Sequence, residues 1–182
     1  MEIDVYKRQE EEHKNHWFFE GKKNIIFSIL KKHIFKNDLK ILDFGCGVGI
    51  NTKMLSSFGH VTCFDQSPEA IKYLKKKFNN NKKILIKDSL ENSNELFDLI
   101  IASEVLEHLE NDKEEIKKLC SLLKPNGFFL ATVPAYKFLF SMKDIKLQHK
   151  RRYNILNFRN LIIMKKLKFQ KVKKKLKNLK FQ

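Results

Sequence analysis

The chain has 182 residues, of which 42% are hydrophobic and 12% aromatic, which is enough for one α/β core and excludes a wholly disordered chain. Its 37 Lys and Arg against 21 Asp and Glu give a formal net charge of +16, which favours anionic partners. No apolar run reaches the roughly 18–20 residues that a membrane span requires, so we expect a cytoplasmic protein, at most peripheral to the inner face of a membrane.

The cysteines give no sign of a metal site. The three of them are scattered, with none of the paired spacings that zinc sites use, and their odd number favours reduced thiols. No cluster of metal ligands is evident along the chain. The sequence therefore predicts that no metal is required.

The first 20 residues are polar and charged until the aromatic residues Trp17, Phe18 and Phe19. We expect residues 1–20 to form a lid that excludes water from a site, although the aromatic side chains would also suit simple packing of the first helix. Apolar residues at helical spacing then predict an amphipathic helix over residues 22–36.

Strands and helices alternate along the rest of the chain. Predicted strands cover residues 40–44, 60–64, 83–87, 97–102 and 128–133, with a sixth at 169–174. Predicted helices cover residues 51–58, a segment after the N-cap Ser67, a segment with a capping box at Asp112, and residues 154–166. A turn is expected at residues 124–127, and residues 135–153 show no clear period. The alternation favours a parallel sheet with helices on both faces, which places a ligand at the carboxyl ends of the strands.

A glycine-rich loop follows the first predicted strand, where residues 41–49 read ILDFGCGVG. Glycine permits a positive φ and lets a ligand approach bare backbone, and a strand–loop–helix unit places several N–H groups around one small ligand. The pattern is Gly-x-Gly-x-Gly, which differs from the dinucleotide fingerprint Gly-x-Gly-x-x-Gly. Asp43 beside it would repel a pyrophosphate but suits a cofactor with an ammonium and a sulfonium.

Acids end the next two predicted strands. Asp65 lies 16 residues after Gly49, where a carboxylate can accept from both hydroxyls of a ribose. Asp88 lies one strand further, where an adenine amino group could be bound. Each acid alone could be an ordinary turn former, but their succession at strand ends favours a nucleoside site.

Three motifs resemble those of the class I S-adenosylmethionine-dependent methyltransferases. The segment ILDFGCGVG resembles their motif I, residues 97–109 (FDLIIASEVLEHL) resemble their fourth-strand motif, and residues 122–130 (LLKPNGFFL) resemble their turn into strand five. The resemblance runs from about residue 20 to 170. Residues 12–23 and 134–153 are also similar to a bacterial subgroup often found beside genes for surface polysaccharide or glycolipid assembly.

This resemblance implies a Rossmann-like methyltransferase fold, with a mostly parallel twisted sheet and helices on both faces, in a domain of residues 21–170. It also implies that S-adenosylmethionine is the cofactor. The glycine-loop residues Gly45, Cys46, Gly47 and Gly49 would hold its methionine part, with Asp43 near the ammonium. The remaining implied contacts are Asp65 and Gln66 at the ribose, Asp88 and Ser89 at the adenine, and Ser103 and Glu104 near the sulfonium.

Two histidines are candidates for catalysis because both are expected near the transferred methyl. His108 follows the fourth strand and His149 lies in the irregular segment 135–153, although His108 would equally suit an ordinary structural hydrogen bond. Beside His149, residues Arg151, Arg152 and Tyr153 are candidates for substrate binding, since arginine binds phosphate and carboxylate. A solvated basic loop is the alternative for these three.

The C-terminus departs from the family's pattern. Its fold normally ends with a sixth strand and an antiparallel seventh, and here strand seven is expected to be missing, which would leave a sheet edge open to a homodimer or another partner. Residues 171–182 form a lysine-rich tail, and residues 165–180 hold nine Lys and no acid. The tail would bind an anionic surface, either membrane or nucleic acid, unless it reflects a general over-use of lysine in this chain.

Three functions remain open from the sequence. The first is methyl transfer to a small-molecule or saccharide/lipid-linked acceptor by in-line displacement. The second is a nucleic-acid methyltransferase that uses the basic tail. The third is a shortened homologue that binds the cofactor without catalysis, or that acts only with a partner.

Overall fold

A parallel five-stranded sheet forms the centre of the molecule in a computed structural model, which describes residues 2–90 and 95–163. The strands are β1 Leu39–Phe44, β2 Gly59–Phe64, β3 Ile84–Lys87, β4 Phe97–Ser103 and β5 Leu123–Thr132. Their order is β3-β2-β1-β4-β5, and every neighbouring pair is parallel. The predicted parallel sheet is confirmed, with the strand of the glycine motif at its middle.

Seven α-helices accompany the sheet in the described part of the chain. They are α1 Glu2–Asn15, α2 Trp17–His33, α3 Ile50–Leu55, α4 Pro68–Lys77, α5 Asp112–Ser121, α6 Met142–Lys146 and α7 Ile155–Ile163. Two 3₁₀ turns, Leu106–His108 and Lys137–Leu139, follow β4 and β5. No helix among these residues is long and apolar enough to cross a bilayer.

Apolar side chains pack against both faces of the sheet. Along β1 the faces alternate, so that Ile41 lies in one buried cluster and Leu42 in the other. The first cluster takes side chains from α2, α3 and α4, and the second takes Ile116 and Leu119 of α5 together with Tyr153. The prediction of helices on both faces is therefore confirmed.

The N-terminal segment differs from its prediction. Residues 1–20 were expected as a lid segment that ends in aromatic residues. The helix α1 occupies most of this segment and α2 begins at Trp17, so the aromatic residues are part of a helix. The His16 side chain caps α2 by accepting from the Phe18 N–H. The hydroxyls of Tyr6 and Ser67 join α1 to the start of α4 at 2.8 Å. Closure of this segment as a lid stays a prediction.

The predicted turn at residues 124–127 lies inside β5. Leu123 pairs with Phe97 and Phe128 pairs with Leu99, so the intervening residues form a bulge that interrupts the register. Asn126 adopts a φ of 64° there, which explains the turn-like composition. The capping box expected at Asp112 is also absent, because Asn111 is the N-cap and makes no side-chain capping bond.

The helix predicted from residue 154 is confirmed as α7 as far as Ile163. The predicted sixth strand, the question of strand seven and the lysine-rich tail lie outside the described residues. In the described sheet β3 and β5 are the edge strands, and a partner that covers the edge stays a prediction.

Candidate functional site

The glycine loop leaves one face of its backbone open. Gly45, Gly47 and Gly49 have φ values of 69°, 52° and 72°. A Cβ on Gly45 would lie 2.4 Å from Val105 Cγ2, and one on Gly49 would lie 2.8 Å from Phe78, whereas one on Gly47 would meet no atom within 4 Å. The outer glycines are thus required by packing, and the middle glycine faces a space that a ligand could fill.

Asp65 ties the glycine loop to the end of β2. One carboxylate oxygen accepts from the Gly47 N–H at 2.8 Å and the other from the Ser67 N–H at 3.0 Å. Ser67 in turn caps α4 by accepting from the Ala70 N–H. Asp65 therefore fixes the glycine loop, the end of β2 and the start of α4 relative to one another.

A cavity of about 350 Å³ opens beside Asp65, at the carboxyl ends of β2 and β3. It is lined by Asp65, Gln66, Pro68, Ile71, Lys72, Lys75 and Asp88. The structure thus brings Asp65, Gln66 and Asp88, three of the four residues expected at the ribose and the adenine, to one cavity. Asp88 pairs with Lys75 at 2.9 Å, and Ser89 follows it as an exposed residue.

Asp43 is a buried residue of β1, and its side chain does not lie on the open face of the glycine loop. Its side chain is 2% exposed and accepts from the Thr52 hydroxyl at 2.7 Å. Burial raises its pKa to about 6, and the Asp65 charge adds to this effect against the Thr52 hydrogen bond. The carboxylate holds β1 to α3 through Thr52, and the expected place of Asp43 near a cofactor ammonium stays a prediction.

Hydroxyl and carboxylate groups meet at the end of β4. Ser103 and Thr132 hydroxyls lie 2.9 Å apart, and Thr132 donates to Glu104 Oε1 at 2.9 Å. Lys22 of α2 reaches the same carboxylate at 3.8 Å and lies over the rings of Phe18 and Phe19. Lys22 was not among the predicted site residues, because nothing in its local pattern distinguishes it from the other lysines of α2.

The two histidines predicted for catalysis lie together. The His108 and His149 rings are 4.8 Å apart and nearly perpendicular. His149 Nδ1 lies 2.9 Å from Asp144, whose side chain is 1% exposed and which also accepts two hydrogen bonds from Arg152. The Arg152 guanidinium holds the pKa of Asp144 well below its ordinary value. The other ring nitrogen of His149 lies 4.0 Å from a carboxylate oxygen of Glu107.

Glu107 is fully buried, and in the part of the chain that the structure describes neither of its carboxylate oxygens has a hydrogen-bond partner. Burial raises its pKa to about 8. Glu107, His108 and His149 present one ligand atom each, all within 4.8 Å of one another. No such group is evident along the chain, because His149 lies 41 positions from His108 in sequence and only folding brings the two together. That no metal is required stays a prediction.

Two of the three predicted substrate residues, Arg151 and Tyr153, anchor the segment 135–153 to the turn after β4, and Arg152 bonds within the segment itself. Arg151 donates to the carbonyls of Leu109 and Glu110, each at 2.9 Å, and Arg152 pairs with Asp144. Tyr153 is 7% exposed, and its hydroxyl contacts the Leu106 carbonyl and Asp112. The structure corrects the role of Tyr153 to that of a buried anchor, whereas substrate contact by the arginines stays a prediction.

Comparison with known proteins gives a consistent result. The model of a family described as "Methyltransferase domain" matches residues 15–169. The mitochondrial ubiquinone biosynthesis O-methyltransferase of Schizosaccharomyces pombe is 38% identical over 96 residues, covering 48% of this chain and 35% of that protein. Human EEF1A lysine methyltransferase 2 is 31% identical over 132 residues, covering 64% of this chain and 56% of that protein.

Solved structures share the fold. The N-methyltransferase NodS of Bradyrhizobium japonicum, in complex with S-adenosyl-L-homocysteine, superposes with a TM-score of 0.68 at 19% identity, covering 87% of this chain and 84% of that one. The chain spans about a third to just over half of the length of the two curated relatives above.

Proposed function

The chain belongs to the family of methyltransferase domains, whose cofactor is S-adenosylmethionine. We propose that it transfers a methyl group to a small-molecule or saccharide/lipid-linked acceptor. The observation that carries the proposal is the cavity of about 350 Å³ between Asp65 and Asp88, beside the open backbone of Gly47. When bound, the cofactor supplies an already activated methyl on a sulfonium, so the protein has chiefly to align the reactants, an effect worth about 7–11 kcal/mol.

The residues of the cavity fit the nucleoside part of this cofactor. Each carboxylate oxygen has more than one acceptor site, so Asp65 can keep its two backbone hydrogen bonds and still accept from ribose hydroxyls. Gln66 lies beside it, and Asp88 faces the same cavity from the neighbouring strand. The backbone at Gly47 would take the methionine part, and Ser103 and Glu104 would border the methyl.

The histidine pair is our candidate for activating the acceptor. Asp144 holds Nδ1 of His149, which directs the other ring nitrogen toward Glu107 and His108. A base oriented in this way by a buried carboxylate can take a proton from a hydroxyl or ammonium acceptor, an effect of about 10²–10⁴-fold. The aromatic start of α2, held beside Glu104 by Lys22, would exclude water from this region.

An amine is the second acceptor class, and it is favoured by one relative, which is a lysine methyltransferase. The S. pombe relative is by name an O-methyltransferase. A screen with a labelled methyl donor over phenolic lipids, glycans, RNA and protein would separate these classes. Label in RNA alone would overturn the proposed acceptor class in favour of the nucleic-acid alternative.

Cofactor binding is tested by titration calorimetry with S-adenosylmethionine and S-adenosylhomocysteine. Asp65→Ala should weaken both by about 10–100-fold, as expected for loss of hydrogen bonds to a charged acceptor. Glu114→Ala, an exposed acid on α5, is the matched control and should bind like the wild type. The proposal fails if the folded wild type binds neither compound, and the ribose assignment fails if Asp65→Ala binds as tightly as the control.

A further inference from the structure

The buried carboxyl group of Glu107 has no hydrogen-bond partner among the described residues. Its side chain is inaccessible to solvent, and the absence of a partner holds for both oxygens. An ionised carboxylate in such a place is costly unless a cation or donor compensates it. The nearest cation from α2, Lys22, lies against Glu104 at 3.8 Å. The groups that face Glu107 from the other side are the two histidine rings.

His149 is held from behind in the way that metal-binding histidines usually are. Its Nδ1 is bound to Asp144, which Arg152 and Ser141 fix in place. The His108 ring lies beside it, with the two ring centroids 4.8 Å apart. A carboxylate behind the His149 ring fixes its tautomer and leaves its second nitrogen free as a ligand.

We propose that Glu107, His108 and His149 form a binding site for one divalent transition-metal ion of the Zn²⁺ type. Two imidazoles and one carboxylate are a donor set that suits Zn²⁺, Fe²⁺ or Mn²⁺ better than Ca²⁺ or Mg²⁺, which prefer oxygen ligands. Ligand atoms around a tetrahedral ion at about 2.1 Å lie about 3.4 Å apart, so the present group, whose ligand atoms lie within 4.8 Å of one another, contracts by up to about 1.4 Å on binding.

Three protein ligands leave a coordination position open, as in catalytic zinc sites. The pKa of an acceptor hydroxyl bound there would be lowered by the ion, so that it would release its proton to solvent water near neutral pH and become a better nucleophile. The histidines would then act as metal ligands, and activation of the acceptor by the ion would take the place of proton abstraction by a histidine ring. Metal binding itself does not depend on the proposed methyl transfer, so the two can fail separately.

The test uses the untagged full chain, freed of metal by a chelator, with Co²⁺ as the spectroscopic probe and Zn²⁺ as its competitor. One Co²⁺ per chain should give visible d–d absorption that Zn²⁺ abolishes. Glu107→Gln and His149→Ala should each lose this signal. His60→Ala removes an exposed histidine at the far end of β2 and is the control that should keep it.

A further variant separates ligand positioning from folding. Asp144→Asn should bind Co²⁺ about 10–100-fold more weakly, because the carboxylate behind His149 no longer orients it. Circular dichroism and calorimetry with S-adenosylhomocysteine on the same samples report the fold and the cofactor site independently. The proposal is overturned if folded wild type shows no stoichiometric Co²⁺ binding, or if Glu107→Gln and His149→Ala both bind like the control.

Discussion

At the scale of single residues, Asp43 supports the glycine loop by binding Thr52, and burial of its charge lowers the stability of the protein at neutral pH. Its folded-state pKa of about 6 lies above the ordinary value of 3.8, because burial disfavours its charge. The folded protein therefore binds a proton more tightly than the unfolded chain does. This contribution to stability is complete below about pH 4 and is lost as the pH rises through 6.

Asp43→Asn should stabilise the protein at neutral pH. The amide keeps an oxygen for the Thr52 hydroxyl and carries no charge to bury, so the free energy of unfolding should rise by about 1–3 kcal/mol above pH 6. The gain should shrink to nothing near pH 4. Urea unfolding at several pH values measures it, with Asp38→Asn, an exposed site, as control. A variant that is less stable than wild type at pH 8 would contradict this account of Asp43.

At the scale of elements, periodicity predicted the five strands and most of the helices that surround them. Long apolar runs such as β4 are buried on both faces, so their sequence signal is strong. The helix α1 was missed because its sequence has no clear apolar stripe. Polar side chains such as Tyr6 and Glu10 make the contacts that hold it to the rest of the fold. The bulge in β5 was read as a turn, since Asn126 and its neighbours have turn chemistry inside a paired strand.

The segment 135–153 shows no regular spacing of apolar residues, because side-chain hydrogen bonds hold it in place more than helices or strands do. Tyr153→Phe tests this, since the hydroxyl serves both the Leu106 carbonyl and Asp112 in a buried place. Removing the one hydroxyl proton that these two buried acceptors share should lower the free energy of unfolding by about 1–3 kcal/mol. Thermal and urea unfolding would show it. Tyr136→Phe, at an exposed tyrosine of the same segment, should change little; equal losses in both would contradict an anchoring role.

At the scale of the whole molecule, the sequence predicted the cofactor half of the site better than the acceptor half. Asp65 and Asp88 follow successive parallel strands, and sheet geometry alone brings such residues to one edge. Glu107, Asp144 and Lys22 come from a 3₁₀ turn, a short helix and α2, whose mutual placement no local pattern encodes. Their grouping depends on tertiary packing of segments far apart in the chain.

The carboxylate of Asp98 joins β4 to β1, to β5 and to the segment before β1, and it should control how the stability of the protein changes at low pH. Asp98 accepts from the Lys124 ammonium at 2.7 Å, from the Lys40 N–H at 2.9 Å and from the Lys36 ammonium at 3.0 Å. Burial raises the pKa of Asp98, but these hydrogen bonds outweigh it and bring the pKa to about 2. Because the folded pKa is below 3.8, the stabilisation is present above pH 4 and is lost as the pH falls through 2.

Asp98→Asn should therefore lower the free energy of unfolding by about 2 kcal/mol at pH 7, and the difference from wild type should vanish near pH 2. The loss should be seen at once by probes of β1, β4 and β5, because Asp98 connects the start of β1 to the bulge that begins β5. Glu114→Gln on the surface of α5 should leave the stability unchanged. A deficit in Asp98→Asn that stays constant between pH 7 and pH 2 would show that packing at this position, and not its charge, stabilises the sheet.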